Sequence, residues 1–193
     1  MKILNRALII LSIASLTLSG SGTALAATVI NLGTAGQFAV LGGSTVTNTG
    51  STTVNGDLGL SPGVSITGFP PGIVNGTQHL TDPVAAQAQA DLTTAYNAAS
   101  GLTSNVTISG DLGGQTLTPG VYNSTSSLGI TGTLTLDGQG NPDSIFIFQV
   151  GSALTTESGS NVNLINNAQA CNIFWQIGSS ATLGTNSHFA GSI

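Results

Sequence analysis

Few residues of this chain carry side chains that do acid–base or covalent chemistry. There are seven acidic residues, two histidines and one cysteine in 193 positions. A polysaccharide-cleaving site needs clustered carboxylates, often beside a cation or bound calcium, and the acids here are scattered. Asp57 and Asp111 each sit in a "GDLG", where Asp beside Gly suits a turn that gathers backbone N–H groups. "DGQGNPD" (137–143) offers oxygen ligands without the spacing or the bidentate Glu of an EF-hand, and reads as a polar hairpin loop. His79 and His188 have no second ligand at zinc spacing. Ser is abundant, but the "GxSxG" nucleophile turn does not occur. Cys171 in "ACNIFW" has no partner for an internal disulfide and no cation nearby to activate it, so a small buried side chain is expected. These residues point away from catalysis, and no cofactor or metal is expected.

What the chain holds in quantity is hydroxyl groups: beyond residue 26 there are 24 Thr and 18 Ser. They recur in short motifs, "TGST" (49–52), "TGTL" (131–134), "SGSN" (158–161) and "TNSH" (185–188). The last two lie 27 residues apart, and so do "FIFQVGS" (146–152) and "IFWQIGS" (173–179). One offset aligns Phe148 with Trp175, Gln149 with Gln176, Ser158 with Thr185 and Asn161 with His188. A period of this length marks stacked repeats, each turn of chain resting on the last. Alternation then turns Phe146, Phe148 and Val150 inward, together with Ile173, Trp175 and Ile177. Gln149 and Gln176 share the opposite face, as a stacked amide ladder. Thr rows on such a sheet form a flat uncharged grid, with spacings of about 4.8 Å between strands and about 6.7 Å along them.

The elements that carry this grid are legible in outline. Lys2 and Arg6, the apolar "ALIILSIASLTL" and the small residues "ALA" (24–26) read as a secretory signal with cleavage after Ala26. The predicted products are a signal peptide over 1–26 and one domain over 27–193. Removal of the signal takes away every Lys and Arg and leaves a formal charge of −7 with His neutral. Nucleic acid is excluded as a partner, because binding it requires cations that displace counterions from phosphate. Anionic membranes are disfavoured likewise, and no membrane insertion is expected once the signal is gone. Residues 28–80 read as short strands broken by Gly, Pro and Asn. Asp82 then caps a helix over 82–99, with Pro83 at its first position and Gly101 as its stop. Val84, Ala88, Leu92, Ala95 and Ala99 form its inner stripe. From about 105 the chain returns to strands. The fold expected is mainly β, a β-solenoid with one long α-helix packed alongside.

"GDLGLSPGVSITGFPPG" (56–72), "LTPGVY" (117–122), "GTLTLDGQGNPDSIFIFQVGSALTT" (132–156) and "ACNIFWQIGSSATLGTNSHFAGSI" (170–193) closely resemble the DUF3494 family of microbial ice-binding proteins. The resemblance implies a discontinuous, triangular, right-handed β-solenoid that adsorbs to an ice crystal surface by one flat face, without cofactor. Ice-face motifs of the form T-A/G-x-T/N carry over to Thr49 and Thr52, to Ser158 and Asn161, and to Thr185, with departures at Asn186 and His188. Family members continue past "FAGSI" with further strands, so the resemblance implies an uncovered rung after Ile193. The function expected is a secreted, extracellular ice-binding protein. The alternative is an extracellular adhesive or structural solenoid that binds a polysaccharide or cell surface.

Overall fold

The computed structural model describes residues 30–193; the signal segment expected over 1–26 lies outside them. Short strands wind into two separate three-sided stacks. The shorter begins with β1 (Phe38–Gly42), β2 (Thr45–Thr47) and β3 (Thr53–Asn55), one per side. A second rung, β4 (Asp57–Leu60), β5 (Ser65–Thr67) and β6 (Ile73–Asn75), pairs parallel to the first, and β7 (Gln78–Leu80) opens a third. The helix α1 (Pro83–Ser100) follows. The longer stack has four rungs. Its helix-facing sheet runs β8 (Val106–Thr107), β11 (Gly120–Ser124), β14 (Phe146–Val150), β17 (Ile173–Ile177). Its second side holds β9 (Gly110–Asp111), β12 (Leu128–Ile130), β15 (Leu154–Thr156) and β18 (Ala181–Leu183), and its third holds β10 (Thr116–Leu117), β13 (Thr133–Asp137) and β16 (Asn161–Ile165). His188 pairs with Asn161 where a fourth strand of that third side would lie.

The 27-residue offset is the register of β14 on β17, with Phe148 opposite Trp175 and Gln149 opposite Gln176. The Phe148 and Trp175 rings lie 3.9 Å apart and within 10° of parallel, and Tyr122 continues the pile at 5.3 Å from Phe148. Around them Leu112, Ile130, Leu134, Leu136 and Leu154 are fully buried. Ile147 and Phe174 point the other way and are buried with Ile30, Ala95 and Ala99. Strands covered on both faces read as continuous apolar runs, which is why "FIF" and "IFW" carry no alternation. Rungs touch most closely at corners, where side chains do not fit. A Cβ on Gly113 would lie 1.8 Å from the Thr131 carbonyl oxygen.

The helix is capped as expected: Asp82 accepts the Ala85 N–H at 2.8 Å, Pro83 is the first residue and Gly101 follows the last. Its buried stripe is Ala85, Ala88, Ala95 and Ala99. Val84, expected on that stripe, is 46 % exposed, because the inner face starts at the first residue whose direction matches Ala88 and Ala95, and that is Ala85. Side-chain tethers fix the helix along its length. The Gln89 amide donates to the Gly42 carbonyl at 2.7 Å, and Asp91 accepts both the N–H and the hydroxyl of Thr34 at 2.7 Å. Those two bonds, the backbone one first, hold the Asp91 carboxyl below its ordinary range. Near the other end, Tyr96 donates to the Ile177 carbonyl at 3.3 Å.

The amide ladder does not form. Gln149 instead donates to the Ala99 and Leu102 carbonyls, both at 2.8 Å, and accepts from Asn123. Helix C-terminal carbonyls lack partners of their own, and they outcompete the neighbouring Gln176. Cys171 is exposed rather than buried. It lies in the 3-10 turn Ala170–Asn172 before β17, outside the inward-facing strand positions. Residues 138–145 form a corner excursion rather than a hairpin, since the strands on either side are on adjacent sides of the prism.

From Gln89, beside β1, to Tyr96, beside β17, is seven residues, a rise of about 10 Å. The two stacks share no sheet, and the helix makes contact with both. An apolar groove lies between α1, β17 and the segment 30–32, lined by Ile30, Leu92, Tyr96, Phe174 and Trp175 among others.

Replacing Ala88 or Ala95 with Leu forces side-chain atoms into a contact that has no room. Each variant should lose roughly 1–3 kcal/mol in chemical denaturation, whereas Leu at the exposed Ala90 should melt like the wild type.

Candidate functional site

The second side of each stack has no element over it. Inward positions there are apolar apart from Thr156, and the solvent face is what alternation leaves: Thr45 beside Ser65, Thr47 beside Thr67, and in the longer stack Asp111, Gly129, Thr155 and Thr182 in one row. The Thr67 hydroxyl reaches that of Thr47 at 3.5 Å. Thr155 and Thr182 are both exposed and are directly paired across β15 and β18. Thr156, the next residue after Thr155 on β15, points inward and is buried, and its hydroxyl accepts the Gly184 N–H at 3.0 Å. The same residue type thus serves as a rung fastener inside and as a surface group outside.

The corner after this side carries the short motifs. Ser158 and Thr185, aligned by the 27-residue offset, meet with their hydroxyl oxygens 3.0 Å apart, and both are exposed. The turn is held by Gly159 N–H donating to the Thr185 carbonyl at 2.9 Å. Asn161 is half-buried and stands next to His188 on the following rung. Thr49 and Thr52 are exposed in the equivalent corner of the shorter stack, between β2 and β3. Asn48 ties that corner, donating to the Gly50 carbonyl at 2.6 Å and the Gly68 carbonyl at 2.9 Å. The structure therefore joins Ser158 with Thr185 and sets Asn161 beside them. It places Thr49 and Thr52 on the same corner type in the other stack, without pairing them to the first three.

Motif reading missed the strand rows themselves. Thr155 and Thr182 lie in "ALTT" (153–156) and "SATL" (180–183), which the 27-residue offset already superimposes. Thr47 and Thr67 are related by the 20-residue offset of the shorter stack. Period, rather than motif, was the signal. The third side is more amide-rich: Asn75 donates to Asn55 at 2.9 Å, while Thr133 pairs with Asn161 and Thr135 with Asn163.

No lysine or arginine occurs in residues 30–193. Both "GDLG" acids are structural, and in the same way. Asp111 accepts the N–H groups of Gly113 and Thr131 at 2.9 Å, and Asp57 accepts that of Thr77 at 2.8 Å. Each bonds the backbone 20 residues on, one rung away. The Gly113 N–H, followed by that of Thr131, holds the Asp111 carboxyl below its ordinary range. The resulting surface is flat and periodic, with hydroxyl and methyl groups and little charge. It suits a broad ordered surface met by many weak contacts rather than a small molecule held in a cleft.

A family model described as ice-binding-like matches residues 40–193. The chain is 54% identical over 194 residues to an ice-binding protein of Nostoc sp. (strain HG1), covering 100% of this chain and 71% of that protein. A crystal structure of an ice binding protein from an Antarctic biological consortium superposes with a TM-score of 0.83 at 56% identity, over 84% of this chain and 74% of that one. One from the Antarctic ascomycete Antarctomyces psychrotrophicus gives 0.82 at 45%, over 83% and 80%.

The Asp111 geometry fixes a pH sign. A carboxyl lowered by folding adds stability above its unfolded value, near 3.8, and loses it as pH falls through the lower folded value. Asp111→Ala should melt below the wild type at pH 6, and the gap should narrow by pH 2.5 in thermal melts at both pH values.

Proposed function

Because the chain belongs to the ice-binding-like family, we propose that it adsorbs to ice through the uncovered second side and its adjoining corner. The contact set is Thr155, Thr182, Ser158, Thr185 and Asn161 on the longer stack, with Thr49 and Thr52 on the shorter. The observation that carries this reading is the pairing of Thr155 with Thr182 beside the Ser158–Thr185 contact. Together they set exposed hydroxyls in rows on a rigid sheet. Methyl groups favour ordered water and hydroxyls hydrogen-bond into it. Each contact is weak, and the rigid sheet makes them act at once without ordering cost at the moment of binding. Bound molecules pin the crystal front, which must then grow curved between them. Strongly hydrated cations, which would disturb the ordered layer, are missing from this surface.

The protein acts outside the cell in this reading, delivered by the secretory signal at 1–26, and it works without catalysis or cofactor. Among the described residues no helix is long and apolar enough to cross a membrane. An adhesive solenoid that binds polysaccharide is the competing reading, and uptake into a slowly growing ice hemisphere separates the two: exclusion from the ice sinks the first.

Thr155→Tyr, Thr182→Tyr and Thr185→Tyr place a bulky ring on the flat face. Each should remove most of the thermal hysteresis and ice uptake while changing stability by no more than about 0.5 kcal/mol, as exposed sites do. Full activity in these variants, alongside loss in Asn163→Tyr, would move the ice face to the third side.

A further inference from the structure

We propose that Gly129 sets the inner limit of the ice-contacting patch, which is confined to the last two rungs of the longer stack. The proposal rests on the reading of the second side as the ice face. The outward row of that side runs Asp111, Gly129, Thr155, Thr182, one residue per rung. Thr155 and Thr182 are exposed, and each presents a hydroxyl and a methyl. Gly129 presents neither, and the position beyond it holds the exposed Asp111. A carboxylate gives up its water only at high cost, so Asp111 does not continue a row of hydroxyls and methyls. The corner beside the row stops at the same rung. Four residues, 157–160, separate β15 from β16, and four more, 184–187, lead from β18 to the His188 bridge. Ser158 and Thr185 meet within these longer corners. Only two residues, Thr131 and Gly132, separate β12 from β13. The added residues of the longer corners have no counterpart on that rung, and row and corner end together between β15 and β12.

Nothing in the packing requires glycine at this boundary. Gly129 pairs in parallel register with Asp111 on one side and Thr155 on the other, and its φ is not positive. Its neighbours Leu128 and Ile130 are buried, so alternation turns a side chain at 129 toward solvent. A Cβ there would meet nothing nearer than Asp111 Oδ1, at 3.8 Å, which is an ordinary contact. Glycine inside a strand weakens it, so stability does not account for the residue either. A threonine at 129 would fit, and it would add a third hydroxyl and methyl to the row at the rung spacing of about 4.8 Å.

The experiment compares the whole chain with its Gly129→Thr and Gly129→Ser variants, and with Asn163→Thr on the third side. Thermal hysteresis is measured against protein concentration, and each variant is melted in parallel. In Gly129→Thr the concentration that gives half-maximal hysteresis should fall roughly two- to tenfold, the range for one added hydrogen-bonding contact. Gly129→Ser should shift it the same way by less, because it adds the hydroxyl without the methyl. Asn163→Thr should match the wild type. Unchanged hysteresis in both Gly129 variants overturns the limit, and so does an equal gain in Asn163→Thr. Where Gly129→Thr melts below the wild type, the smaller Gly129→Ser decides. The two readings fail separately. A wild type without hysteresis removes the ice face and its limit together, whereas an active wild type with no gain at 129 removes the limit alone.

Discussion

The face-to-face stack of Phe148 on Trp175, extended by Tyr122, is the contact on which the longer stack depends. Stacked rings in a packed interior tolerate little sliding. With their rungs in register, every other residue of β14 and β17 is assigned to the core or to the outside. The assignment carries around the prism, because each strand continues the same turn of chain. A slip of one residue would turn Phe148 and Trp175 toward the helix and drive Gln149 and Gln176 into the apolar interior of the prism, away from the helix-end carbonyls that hold Gln149. The positions of Thr155, Thr182, Ser158 and Thr185 on the surface are therefore consequences of aromatic packing on a different side.

The helix has a second structural role. Ala at its buried positions lets its axis come close to the sheets, and few other residue types would. Its tethers are spaced along the rise: Asp82 with His79, Gln89 at β1, Asp91 at Thr34, Tyr96 at β17 and Ala99 with Gln149. Since the two stacks share no sheet, the helix is what sets one relative to the other. Most of these tethers are single hydrogen bonds, each modest in net free energy. Their combined effect is geometric precision over the length of the molecule.

The economy of charge fits the same plan. Among the described residues every buried side-chain nitrogen and oxygen has a hydrogen-bond partner. Four of the six buried polar residues, Ser124, Ser144, Gln149 and Thr156, bond backbone groups at corners, strand ends and the helix terminus through their side chains. Acids do the same work at the rung corners through Asp57 and Asp111. Polar side chains are thus used mainly to satisfy the backbone where strands stop, and the hydroxyls left over face solvent on an uncovered sheet.

Local rules were enough for several of these features. The Asp82–Pro83 helix start and the "GDLG" turns depend on neighbours within a few residues, and the 27-residue repeat is written directly in paired apolar strands. The stack and the alignment of Ser158 with Thr185 were legible for that reason. Tertiary structure decided what depends on partners distant in the chain. Gln149 left the expected amide ladder because the end of α1, about 50 residues away, presents carbonyls in need of donors. Cys171 is exposed because a short turn carries it off the strand direction, and Val84 lost its place to Ala85 because the angle at which the helix docks selects the buried stripe. Thr49 and Thr52 matched the corner motif in sequence, yet they stand in a separate stack that shares no sheet with the one carrying Ser158 and Thr185. Periodicity reports which residues share a side of the prism; which side is covered is determined only when the helix finds the apolar backs of β14 and β17 and leaves the Thr rows open to solvent.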